Sequence, residues 1–107
     1  MAIVTRGKAD KVIKAVKKAL EEYEQEHPTA RVDLYRQNNV SIRIRIVDPA
    51  FKRISKGDRH DRVWAFLAER LDDRALAELS VLLLLTPAEQ ANSFMNSEFE
   101  DPIKSSF

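Results

Sequence analysis

Hydrophobic and polar residues alternate most strictly between Val40 and Val47. Apolar side chains at positions 40, 42, 44 and 46 are separated by Ser41, Arg43 and Arg45. A period of two, carried mainly by isoleucine and valine, predicts a β-strand with one face buried and the other in water. The other elements are placed relative to this strand.

The segment Ala30–Tyr35 alternates in the same way and predicts a partner strand. Gln37-Asn38-Asn39 predicts the turn between the two, because asparagine tolerates the left-handed conformations of hairpin loops. A two-residue loop at Asn38-Asn39 would place the two apolar faces on opposite sides of the hairpin. We therefore expect a three-residue loop, which pairs Leu34 with Ile42.

Two segments have the apolar spacing of amphipathic helices. Residues 8 to 26 predict the first helix, which ends before Pro28. Arg59–Leu71 predicts the second, with Asp58 as its N-cap. The apolar stripe of this second helix is expected to comprise His60, Val63 or Trp64, Leu67 and Leu71.

The leucine-rich segment before Thr86 permits two interpretations. Its composition favours a helix, and Arg74–Leu85 fits one. The segment also has a period of two, with one set of alternate positions at Leu79, Val81, Leu83 and Leu85. This period favours a buried strand that is entered from Ala75 and runs parallel to the second strand in chain order. We adopt the strand, and in it Leu82 and Leu84 point to the face opposite the core. This apolar pair predicts the interface of a homodimer.

The predicted fold class is α+β: a small three-stranded mixed sheet with helices on one face, in the order α-β-β-α-β-α. The last helix is expected from the capping box Thr86-Pro87-Ala88-Glu89, which has proline at the first helical position, and it extends to about Met95. Residues 1–96 are assigned to one domain, and residues 97–107 to a flexible C-terminal tail.

Composition excludes several classes of function. The 107 residues are 44% apolar and 33% charged with a net charge of +1, as expected for one soluble domain without a strong overall field. There is no cysteine, hence no disulfide or thiolate ligand. No signal peptide or membrane-spanning segment is apparent, so a cytoplasmic location is expected. No catalytic constellation stands out, and we predict neither an enzyme nor a cofactor.

Basic residues gather in two places and predict weak, sequence-tolerant contacts to nucleic-acid phosphates. The alternative is an ordinary solvated surface. The first group is on the polar face of the hairpin and comprises Arg31, Arg43 and Arg45. The second group occupies the following loop and the start of the second helix, and comprises Lys52, Arg53, Lys56, Arg59 and Arg62.

Several short motifs, in this order of elements, resemble the BolA-like family of small proteins with a class II KH-like fold. The motifs are Ser41–Asp48 with Phe51; Arg59-His60 with Val63-Trp64 and Leu67-Ala68-Glu69; and Leu79-Ser80-Val81 before Thr86-Pro87-Ala88-Glu89. The resemblance spans most of residues 8 to 95. It implies a non-enzymatic protein that acts with monothiol glutaredoxins in iron–sulfur handling; some members are linked to transcriptional regulation.

The ligand positions of that family differ in this chain. The family's characteristic histidine at the start of the last strand is replaced by Glu78 or Leu76, depending on the direction of counting, and the hairpin loop Gln37-Asn38-Asn39 holds no histidine or cysteine. The loop around Gly57 lacks the two-glycine motif of KH domains. We therefore expect a self-associating interaction or regulatory module that ligates no cluster; a glutaredoxin-type partner is implied by the resemblance alone. A nucleic-acid-binding KH-like domain is the alternative.

Overall fold

The structure is a computed structural model that describes residues 4–6, 10–38 and 41–90, with side chains for 10–36 and 41–90. The strands are β1 (Val4–Arg6), β2 (Arg31–Asn38), β3 (Ser41–Val47) and β4 (Leu79–Leu85). The helices are α1 (Lys11–Glu26), α2 (Lys56–Ala68), α3 (Asp73–Glu78) and α4 (Pro87–Gln90), with a 3-10 helix at Pro49–Arg53. The end of the predicted last helix and the predicted tail, 97–107, lie outside the described residues.

The predicted α+β class and the order α-β-β-α-β-α are confirmed. The sheet carries one strand more than the three predicted, since β1 lies beside β2 and parallel to it, which gives the order β1-β2-β3-β4. β4 is parallel to β3, as expected for two strands joined by a helical crossover. The short helix α3 is an addition that lies directly before β4.

The core fills the space between α1, α2 and one face of the sheet. Its fully buried side chains come from all three sources, and they are Ile13, Val16, Leu20, Val32, Leu34, Ile42, Ile44, Ile46, Val63 and Leu67. The predicted first helix is present as α1, but it begins at Lys11 and not at residue 8; the side chain of Asp10 caps it by accepting a hydrogen bond from the Ile13 amide.

The pairing of β2 with β3 differs from the predicted register. Leu34 lies opposite Ile44, two residues further along β3 than predicted, and the pairing reaches Asn38 opposite Ser41. A bulge after Arg36 inserts one residue into β2. Without the bulge, every apolar residue of β2 would face away from the apolar face of β3; the inserted residue corrects this. The predicted three-residue turn is wrong because positions 37 and 38 belong to the strand.

The leucine-rich segment is partly helix and partly strand. The helical part is α3, and β4 begins at Leu79. Leu82 and Leu84 lie opposite Ile44 and Ile46 and pack on the core, so the prediction that they face away from it is wrong. The reason is an irregularity in the pairing at Ser80, which shifts the alternation by one residue.

The second helix begins three residues earlier than predicted. Its N-cap is Ser55, whose Oγ accepts a hydrogen bond from the Asp58 amide at 3.2 Å. The buried residue one turn before Val63 is Arg59, not His60. His60 is exposed, and its ring is parallel to that of Trp64 with the centroids 6.0 Å apart. The apolar pattern therefore located the helix but not the orientation of its first turn.

The buried guanidinium of Arg59 connects four segments. Its Nε donates to the carbonyl oxygen of Ile54 at 2.8 Å, and its Nη2 donates to that of Phe51 at 2.8 Å. Its Nη1 donates to the carbonyl oxygen of Leu84 at 3.1 Å and to Glu89 Oε1 at 2.6 Å, and a second contact joins Nη2 to Glu89 Oε2 at 3.4 Å. All five N–H donors of the guanidinium are used inside the fold.

The capping box at the start of α4 is confirmed and completes this network. Glu89 Oε1 accepts from the Thr86 amide at 2.8 Å, and the Glu89 amide donates to Thr86 Oγ1 at 3.2 Å. The hydrogen bond from Arg59 and that from the Thr86 amide lower the pKa of Glu89 to about 2. Glu89 is therefore ionised in the folded protein over the whole physiological range.

Replacing Arg59 by lysine should destabilise the protein strongly. One ammonium group has three donors and cannot reach acceptors arranged around a planar fork, so buried carbonyl oxygens lose their partners. We expect Arg59→Lys to lower the free energy of unfolding by about 2–3 kcal/mol in urea titrations. The exposed Arg62→Lys on the same helix is the control, with a change below about 0.5 kcal/mol. Equal midpoints for the two variants would contradict the role of Arg59.

Glu89 should make stability depend on pH in the acid range. Because folding lowers its pKa from 4.5 to about 2, its ionised form contributes stability above pH 4.5 that is lost as the pH falls toward 2. Glu89→Gln should therefore be less stable than the parent at neutral pH. The difference in the free energy of unfolding should narrow as the pH falls from 4.5 toward 2. Urea unfolding at a series of pH values measures it. The exposed Glu69→Gln should show a difference that is small at every pH.

Candidate interaction surfaces

The basic residues of the hairpin do not form a uniform surface. Arg31 is exposed, and Arg43 is half-buried on the face opposite the helices. Arg45 is buried, and its Nε donates to Asp33 Oδ2 at 2.7 Å. A buried, paired guanidinium is a poor phosphate ligand because binding would break its ion pair. Of the three predicted contact residues on this face, Arg31 is the most accessible.

The basic loop keeps most of its charge at the surface. Lys52 and Arg53 lie on the 3-10 helix, Lys56 and Arg62 lie on α2, and all four side chains are exposed. Arg59 was predicted as the fifth member of this group, and the structure contradicts that prediction because every donor of its guanidinium is used in the network of Phe51, Ile54, Leu84 and Glu89. The two exposed carboxylates of Asp58 and Asp61 lie on the same helix and reduce the local positive field.

The outer edge of the sheet is apolar. β4 is the last strand in the order, and its seven residues, Leu-Ser-Val-Leu-Leu-Leu-Leu, include no charge. Val81, Leu82 and Leu83 are partly exposed, whereas Leu84 is 6% exposed. The predicted interface pair Leu82 and Leu84 therefore contributes mainly to the core. The apolar surface that remains accessible is on the first part of the strand.

A third buried arginine, in addition to Arg45 and Arg59, was not predicted. Arg36 is on the core face of β2, where its Nε lies 3.0 Å from Asp10 Oδ2 and its Nη2 lies 2.9 Å from Glu78 Oε1. The hydrogen bond from the Ile13 amide and the charge of Arg36 lower the pKa of Asp10. The alternation of Val32, Leu34 and Arg36 was the available signal, since it continues the apolar face by one step.

The positions that correspond to the cluster ligands of BolA-like proteins have structural contacts here. Glu78 is ion-paired with Arg36, and Leu76 packs against the core. His27 Nδ1 donates to the Tyr23 carbonyl oxygen at 3.0 Å, and its ring stacks on Tyr23 at 4.0 Å. Within residues 10–36 and 41–90, no group of three or more histidine or carboxylate side chains is arranged to hold a metal ion.

No helix in the described part of the chain is long and apolar enough to cross a bilayer.

The comparisons with known proteins give one structural similarity. No protein-family model matches the sequence, and no curated protein matches it. The chain is similar to the solved solution structure of the XC975 protein, with 28% sequence identity and a TM-score of 0.47 over 78% of this chain and 99% of that one.

Proposed function

We propose that this chain is a non-enzymatic interaction module that self-associates through the outer edge of β4. The observation that carries the proposal is an uncharged edge strand whose residues Val81, Leu82 and Leu83 are partly exposed. Edge strands present unpaired N–H and C=O groups, and natural proteins usually protect them with charges or proline. The segment Leu79–Leu85 contains neither.

A second copy of the chain fits this edge best. In an antiparallel pairing about a twofold axis, the residue at the axis lies opposite its own copy and the others pair reciprocally, so every residue of this uncharged strand meets an uncharged residue. The Leu84 carbonyl oxygen is already an acceptor for Arg59, which limits the pairing to the preceding residues. We place its centre near Val81. The dimer thus differs from the one predicted through Leu82 and Leu84, whose side chains pack on the core.

On the family resemblance, we further propose that the chain is a BolA-like protein with a regulatory role, a glutaredoxin-type partner and a cytoplasmic location. The ion pair between Glu78 and Arg36 supports one of our predictions, the absence of cluster ligation, because a carboxylate held at 2.9 Å by a buried guanidinium has a structural role. Any partner would be recognised through surfaces such as the β4 edge.

Lysines on the exposed side of β4 should abolish self-association. Val81→Lys combined with Leu83→Lys brings the four positive charges of the two copies together on one face of the paired edge, while the core residues of β4 stay unchanged. We expect light scattering to give the mass of a dimer for the parent at micromolar concentration and that of a monomer for the variant. Ala77→Lys, an exposed change on α3, is the control and should remain dimeric. A monomeric parent at high concentration would overturn the proposal.

Nucleic-acid binding is the second candidate function. It is favoured by the four exposed basic side chains of the 3-10 helix and α2, Lys52, Arg53, Lys56 and Arg62. Neighbouring Asp58 and Asp61 oppose it, and the buried Arg45 and Arg59 cannot contribute without breaking their ion pairs. The site therefore supports weak contacts to phosphates and provides no means of reading a base sequence.

This weak binding should be sensitive to salt. Four phosphate contacts to a single strand predict a slope of about −3 in a plot of log affinity against log salt concentration. The anisotropy of a labelled single-stranded oligonucleotide measures it. Lys52→Gln with Arg53→Gln should halve the slope, whereas Lys14→Gln with Lys18→Gln on the exposed side of α1 should leave it unchanged. Equal slopes for both pairs, or no anisotropy change at low salt, would remove this candidate.

A further inference from the structure

A cavity of about 530 Å3 lies where the end of α1, the start of β2, the end of β3 and α4 approach each other. Its wall includes Glu24, Arg31 and the ion pair of Asp33 with Arg45, together with the apolar surfaces of Pro28 and Val47. This volume is within the range of small-molecule sites, which combine apolar walls with a few polar groups. Neither proposed interaction surface includes the cavity.

Glu24 is the unusual residue of this wall. It is 8% exposed, and among the described residues no donor forms a hydrogen bond with its Oε1. Burial is the main cause that raises the pKa of its carboxyl group. A buried carboxylate oxygen without a hydrogen-bond partner is costly, and native proteins retain one mainly where a ligand or a neighbour compensates it.

The remaining charges define what the cavity recognises. Asp33 and Arg45 neutralise each other, since both Nε and Nη2 of the guanidinium contact Oδ2 of the carboxylate. The exposed guanidinium of Arg31 adds a positive charge at the strand end. The cavity therefore presents a buried negative group and an accessible positive group, with a neutral pair on the wall.

We propose that this cavity binds a small zwitterion, with its ammonium group on Glu24 and its carboxylate on Arg31. An ammonium group supplies the donor that Oε1 lacks. The resulting charge-assisted hydrogen bond compensates the buried charge. The carboxylate fits the planar fork of an arginine side chain. An amino acid or a short ω-amino acid has this chemistry, and the apolar surfaces of Pro28 and Val47 suit its methylene groups.

The test is a titration of the full chain followed by backbone amide chemical shifts. The probes are 6-aminohexanoate, hexylamine and hexanoate, which carry both charges, the positive charge alone and the negative charge alone. We expect 6-aminohexanoate to shift the amides of residues 24–33 with the highest affinity, hexylamine to shift them more weakly, and hexanoate to leave them unchanged.

Variants separate specific binding from a general charge effect. Glu24→Gln should weaken 6-aminohexanoate binding about tenfold, the loss expected for one charge-assisted hydrogen bond. It should fold well, because it removes a buried charge. Glu21→Gln, an exposed change one turn earlier on α1, should bind like the parent. Arg31→Gln should remove the preference for 6-aminohexanoate over hexylamine.

Three outcomes would overturn the proposal. They are an absence of shifts with every probe, equal affinity in the parent and in Glu24→Gln, and shifts by hexanoate that match those by 6-aminohexanoate. The oligomeric state of the Glu24→Gln variant should equal that of the parent, because the cavity and the β4 edge lie on different parts of the sheet. Failure of this site would therefore leave the proposed self-association intact.

Discussion

The guanidinium of Arg59 holds together the part of the fold where the chain crosses from β3 to β4. This side chain of α2 finds its acceptors in the 3-10 helix and its C-cap Ile54, in β4 and in α4. A buried cation would be costly without compensation, and the carboxylate of Glu89 supplies the opposite charge while it also caps α4. The position of α4 therefore depends on α2, although the two helices are far apart in sequence.

Two interruptions of strand pairing determine which residues are inside. The bulge after Arg36 keeps the apolar faces of β2 and β3 together, and it also places Arg36 over the core, where Asp10 and Glu78 compensate it. The irregularity at Ser80 turns Leu84 inward. Both features act through the period of two, because one extra residue exchanges the faces of everything that follows.

The ion pairs inside the fold reduce the number of charged side chains that are accessible for binding. Arg36, Arg45 and Arg59 are ion-paired inside the fold, so the accessible positive charge is smaller than the composition indicates. The edge of β4, in contrast, is free of charge along its whole length. Glu24 is a buried carboxylate whose Oε1 has no hydrogen-bond partner among the described residues. The proposals of edge pairing and of a zwitterion site follow from these two departures from the usual surface and interior.

The sequence alone determined the α+β class, the order of the main elements and the capping box at Thr86, because apolar period and helix caps are local properties of a few neighbouring residues. It did not determine the hairpin register or the inward direction of Leu84, which depend on bulges that only long-range pairing reveals. Nor did it show that Arg59, and not His60, faces the core. A guanidinium is buried only where acceptors from distant segments converge, and tertiary structure alone brings those acceptors together.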